Sequence, residues 1–170
     1  MKNAYSLFIL LLFSLSGCKK ETAAEAILPN EDNLTVCPTG STCNFFYADN
    51  SGMDGIKLLL TKGQYRVFWA HTSVSYSAFS LYMMAPMIGD SFSLTKEDFL
   101  EGRVKYQNNC PTCFSISMVP VDGKITGRRL PAGNGLPERW IVEADVVFTS
   151  SGPSIPTQPL HLKQYYLPAN

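Results

Sequence analysis

Apolar positions along this chain fall into two regimes. From Ala4 to Leu15 they run almost without polar interruption, and from Cys37 onward they come in short alternating bursts between turn residues. The first run has the length of a signal-peptide core and is too short to cross about 30 Å of hydrocarbon as a helix. The second has the period of two that marks half-buried strands. Trp140–Thr149 shows it best, with Trp140, Val142, Ala144, Val146 and Phe148 on one face and Ile141, Glu143, Asp145, Val147 and Thr149 on the other. In Gln64–His71 the odd positions Tyr65, Val67 and Trp69 oppose Arg66, Phe68 and Ala70.

Turn signals set the expected connections. Asp49-Asn50-Ser51-Gly52 closes a strand at Asn44–Ala48, and Lys62-Gly63 links Gly55–Thr61 to Gln64–His71 as a hairpin. Across Ser73–Met84 the apolar phase slips by one residue, as a β-bulge would make it. Thr95-Lys96-Glu97-Asp98 fits the capping start of a helix of one or two turns ending at Gly102. Asp122-Gly123 reads as a hairpin between Phe114–Val119 and Lys124–Leu130, and Leu160–Leu167 as a closing strand. Short strands with turn signals every 8–12 residues, and no long helical period, predict an all-β fold: an antiparallel β-sandwich of Ig-like or jelly-roll type with at most one short helix. It occupies residues 37–170 as one domain. Residues 18–36 are polar, mixed in charge and poor in large apolar side chains, which predicts a flexible tether.

The apolar run ends in Leu15-Ser16-Gly17-Cys18. This resembles the lipobox of bacterial lipoproteins, and the resemblance covers residues 1–18 only. It implies removal of residues 1–17, a diacylglycerol on the Cys18 sulfur and usually a third acyl chain on the new amino group. Two or three chains on one residue make attachment to a membrane stable, where one would be marginal. Lysine rather than aspartate follows the cysteine (Lys19), which by the same resemblance implies the outer membrane, with the facing leaflet left open.

Charge narrows the partners. Lys and Arg number 14 against 14 Asp and Glu, and losing Lys2 with the leader leaves the mature chain slightly acidic. There is no electrostatic reason to expect nucleic acid.

Apart from Cys18 there are four cysteines, Cys37, Cys43, Cys110 and Cys113, an even set that outside the cytoplasm reads as a disulfide framework. Three connectivities exist, and the local pairs Cys37–Cys43 and Cys110–Cys113 are favoured over crossed ones. Two alternatives use the same sulfurs. Cys-Pro-Thr-Cys at 110–113 resembles one zinc knuckle of the rubredoxin type, although Phe114 stands where that knuckle carries glycine. It also has the spacing of a redox dithiol, although the following residues pattern as strand and supply no helix dipole to activate a thiol.

Other candidate chemistry is sparse. His71 and His161 are the only histidines, Met83, Met84 and Met87 suit core filling better than copper, and Glu143 and Asp145 share a strand face as a solvated pair commonly does. No serine-hydrolase, zinc-protease, dinucleotide or P-loop motif occurs. Surplus aromatics on a sheet face, with Tyr65, Trp69, Tyr165 and Tyr166 as candidates, would stack on a glycan or bury in an envelope protein. The sequence thus predicts a lipid-anchored, non-catalytic structural or binding module that needs no cofactor and no metal. The alternative is an envelope thiol-disulfide or four-cysteine metal protein using Cys110 and Cys113.

Overall fold

Strand follows strand almost throughout the computed structural model, which describes residues 27–55, 57–110, 117–150 and 156–169. The elements are β1 (Ser41–Met53), β2 (Leu60–Lys62), β3 (Tyr65–Val74), β4 (Ser77–Pro86), β5 (Ser91–Leu94), α1 (Lys96–Leu100), β6 (Val104–Asn109), β7 (Met118–Leu130), β8 (Arg139–Ser150) and β9 (Gln158–Pro168). The all-β expectation with one short helix holds. In the sheet the order is β5-β7-β8-β9-β1-β3-β4-β6, with β2 beside β1. Among the described residues every pairing is antiparallel except β9 with β1, which runs parallel through Phe46 opposite Leu167 and Tyr47 opposite Pro168. The sheet is therefore mixed, and it curls so that its two halves face each other across one core.

Aromatic packing fixes the curl. Phe68 of β3 is fully buried and meets Phe92 of β5 at 5.0 Å, Trp140 of β8 at 5.6 Å, Tyr166 of β9 at 5.6 Å and Tyr47 of β1 at 5.7 Å between ring centres. Farther along, Tyr106 of β6 meets Phe148 of β8 at 4.9 Å. The alternation read in β8 is the observed one: Trp140, Val142, Ala144, Val146 and Phe148 all enter the core. Gly127 has to be glycine, because a Cβ there would lie 2.1 Å from the Phe92 ring.

Several turn signals were absorbed into strands. Asp49 to Gly52 do not close a strand; β1 passes through them with a register shift between Ala48 and Ser51, and Asn50 takes a left-handed φ of 50°. Residues that favour turns have made a bulge here. Lys62-Gly63 makes no hairpin, since β2 and β3 both pair with β1. The phase slip is a chain reversal: β3 and β4 pair from Tyr65 opposite Pro86 to Val74 opposite Ser77, leaving Ser75-Tyr76 as a two-residue turn, with Ser75 at φ 49°. Asp122-Gly123 lies inside β7 beside another register shift. A Cβ on Gly123 would stand 2.1 Å from the Asp145 carbonyl oxygen, so glycine serves close strand approach and not reversal. The Phe114–Val119 expectation falls largely outside the described residues, with Met118 and Val119 in β7. The helix start is as read: Thr95 N–H donates to the Asp98 carboxylate at 2.7 Å, and Gly102 follows at φ 74°.

A charge sits within this core. Arg66 of β3 is 8% exposed, with its guanidinium carbon 4.4 Å from the Trp140 ring centre. It donates from Nε and Nη2 to both carboxylate oxygens of Asp49, the latter at 2.9 Å. The bulge in β1 is what brings Asp49 to this position. Removing one partner of such a pair strands the other. Asp49→Ala therefore lowers the unfolding free energy by about 3 kcal/mol, read as a fall in the urea midpoint at unchanged slope.

Candidate functional site

Side-chain size tapers along the inward face of β3, from Arg66 and Phe68 to Ala70 and Thr72. The large members fill one end of the curl. At the other end the small ones leave a cavity of about 480 Å³. Its deeper wall includes Ala70, Leu81 and Phe148, each 6% exposed or less. Phe45, Phe79 and Tyr106 close the sides, and Val36, Pro38 and Leu160 form an exposed apolar rim. That volume is in the range of small-molecule sites. A second hollow of about 350 Å³ runs beneath α1 and shares Tyr106 and Met118 with the first.

One side of the cavity is built by the segment before β1. Cys37 is disulfide-bonded to Cys43, with Cα atoms 5.9 Å apart, as the local pairing predicted. Upstream, Thr35 N–H donates to the Lys163 carbonyl at 2.8 Å, and Thr35 Oγ1 accepts from the Lys163 N–H at 2.9 Å. Gln164 Nε2 donates to the Thr35 carbonyl at 3.1 Å. Lys163 Nζ, 6% exposed as a residue, donates to Asn30 Oδ1 at 2.6 Å and lies 3.8 Å from Glu143. Tyr165 donates its hydroxyl proton to Glu31 at 2.7 Å. Within the expected tether, residues 27–36 thus form a strap laid along β9, and Pro29 in it is buried. Ile141, on the outer face of β8, is fully buried as well.

Among the described residues the cavity wall carries no Lys, Arg, Asp or Glu. Among the same residues all but one of its polar side chains make a hydrogen bond or lie within reach of one. Thr35 is bonded to Lys163, Thr72 donates to Cys43 Sγ at 3.7 Å, and Ser80 Oγ is 2.9 Å from His71 Nδ1. Gln158 donates to the Pro156 carbonyl at 3.4 Å, and His161 Nδ1 lies 2.7 Å from Asp145. Tyr106 is the exception, with no hydrogen-bond partner among the described residues. Burial pushes its phenol above the usual range, so it remains a neutral donor and acceptor.

The aromatic candidates do not converge. Tyr166 is a core residue whose buried hydroxyl has no hydrogen-bond partner among the described residues, and burial raises its pKa strongly. Tyr165 lies on the outer face under Arg139, 4.9 Å from the ring centre, while Tyr65 has Arg103 at 5.8 Å. Trp69 tilts against Phe46 at 5.9 Å. Glu143 and Asp145 face Lys163 and His161 across the strand pair. Cys110 is disulfide-bonded, and Cys113, its expected partner, lies outside the described residues, as does Cys18. With Cys37 and Cys43 bonded to each other, two of the four sulfurs a tetrathiolate would need are committed.

Sequence reasoning missed the cavity and the strap. The taper at Ala70 and Thr72 was a visible sign of the first. Nothing in the polar run of residues 29–35 signalled the second, whose bonds are to Lys163, Gln164 and Tyr165 more than a hundred positions away.

Reducing the strap disulfide, or replacing both members as Cys37→Ser with Cys43→Ser, costs about 2 kcal/mol of unfolding free energy for so short a loop. It also speeds hydrogen exchange, at the Thr35 amide and, by the factor of about thirty that about 2 kcal/mol of lost unfolding free energy implies, at the core amides of β8. Compared with protein families, with curated proteins and with solved structures, the chain finds no match.

Proposed function

We propose that this protein is a lipid-anchored, non-catalytic binding module of the bacterial cell envelope, attached through acyl chains on Cys18 at the outer membrane and holding a small ligand in the cavity between the strap and the curled sheet. The cavity is the observation that carries the binding half of this reading. It is about 480 Å³, apolar on its inner walls and rimmed by exposed apolar residues. A packed domain fills such space unless something else occupies it, because each lost contact costs stability. The anchoring half is supported by Leu15-Ser16-Gly17-Cys18 and by the disulfide Cys37–Cys43, which suits an oxidising compartment.

Binding rather than catalysis is supported by the commitments of the ionisable groups. Asp145 is paired with His161, Glu143 lies against Lys163, and Glu138 accepts from both Arg129 and Tyr47. That contact with Arg129 holds the Glu138 carboxyl below its ordinary range, while burial, reinforced by Glu138, pushes the Tyr47 phenol up to about 12. Such groups are occupied in holding strands together.

Metabolic labelling with radioactive palmitate tests the anchor in cells. The wild-type chain takes up label and sediments with membranes, whereas Cys18→Ser takes up none and keeps its leader. Equal processing and localisation of the two would overturn the anchor.

A further inference from the structure

We propose that the cavity takes one neutral, largely apolar molecule of about sixteen non-hydrogen atoms, with a single hydrogen-bonding atom met by the Tyr106 hydroxyl. This rests on the reading of the domain as a binding module and names its ligand class.

Size comes from the volume: 480 Å³ holds about sixteen groups of roughly 30 Å³ each, the share of one molecule in liquid water. Neutrality comes from the wall. Among the described residues it contains no Lys or Arg to meet a carboxylate, phosphate or sulfonate, and no Asp or Glu to meet an amine. Among the same residues the Thr35, Thr72 and Ser80 hydroxyls are bonded within the protein, as are Gln158 Nε2 and His161 Nδ1, and Gln158 and His161 lie exposed at the rim and not inside. A charged ligand group drawn inside would lose its hydration without replacement, a cost that excludes it or leaves it outside the rim. The single polar allowance comes from Tyr106, the wall residue whose hydroxyl is uncommitted among the described residues. Its ring is fixed against Phe148 at 4.9 Å, so the hydroxyl is presented from a rigid support. Phe45, Phe79, Tyr106, Phe148 and Met118 make the wall rich in aromatic and sulfur atoms, which favours flat or unsaturated ligands over fully saturated chains.

Two dyes that share one ring skeleton separate the possibilities. N-phenylnaphthylamine is neutral, matches the volume and carries one N–H; anilinonaphthalene sulfonate adds a charge. The full-length lipidated protein is held in nanodiscs, with empty discs as background, and dye emission is read on excitation of the tryptophans, so that only dye beside the protein contributes. The neutral dye is expected to bind in one-to-one ratio at least tenfold more tightly than the sulfonate. Tyr106→Phe, which keeps the ring on Phe148, weakens the neutral dye about fivefold, the worth of one hydrogen bond, and leaves the unfolding midpoint in place. Thr72→Phe fills the cavity and removes binding. Equal or tighter binding of the sulfonate overturns the neutral class while sparing the binding module. An unchanged affinity in Tyr106→Phe overturns the role of Tyr106. No binding of either dye to the folded wild-type protein overturns both this inference and the binding reading, and leaves the palmitate result untouched.

Discussion

The ring of Phe68 meets rings from β1 beside it and from β9, β8 and β5, which lie two, three and five places away in the order of the sheet. A sheet of this many strands twists, and twist alone leaves its faces open to water. What turns it back on itself is apolar area that only the opposite half can cover. Fully burying one such ring is worth about 2 kcal/mol, with a further fraction from edge-on geometry. Phe68 does this at a single point between the two halves. Shortening it would unpack five strands at once, which is why the rest of the architecture depends on it.

The position of the cavity follows from the same ring. Where Phe68, Phe92, Trp140 and Tyr166 meet, all four rings are buried against one another. Two and four residues along β3 the inward side chains are those of Ala70 and Thr72, while the strand separation across the curl is still set by the aromatic cluster. The sheet cannot close down on the smaller residues without losing the contacts of the larger ones. Space is left over, and it is apolar because the walls are the inner faces of strands.

How much of this was legible in the sequence divides along the range of the interactions. Period-two alternation found β8 with its inward face correct, because one buried face imposes that pattern locally. The capping residues at Thr95 and Asp98 found α1 for the same reason. Turn residues misled where a tertiary contact had recruited them: Asp49 and Asn50 bend β1 so that Asp49 reaches Arg66, and Gly123 makes room for the Asp145 carbonyl. Both uses depend on a strand that arrives later in the chain. Of the candidate site residues, Cys37 and Cys43 were readable because they are close in sequence. Tyr65, Trp69, Tyr165 and Tyr166 were chosen for being aromatic, and the fold spends them separately, with Tyr166 in the core. Ala70, Thr72 and Tyr106, which shape the cavity, carry no conspicuous chemistry of their own.

The strap has a directional consequence. It meets Tyr165 at Glu31, then Lys163 and Gln164 at Thr35, and reaches the cavity rim at Val36 and Pro38. The polypeptide thus meets β9 over Lys163, Gln164 and Tyr165 and passes from there to the rim of the cavity. Because Val36 and Pro38 follow directly on Thr35, the hydrogen bonds of Thr35 to Lys163 and Gln164 also hold the rim of the cavity in place against β9.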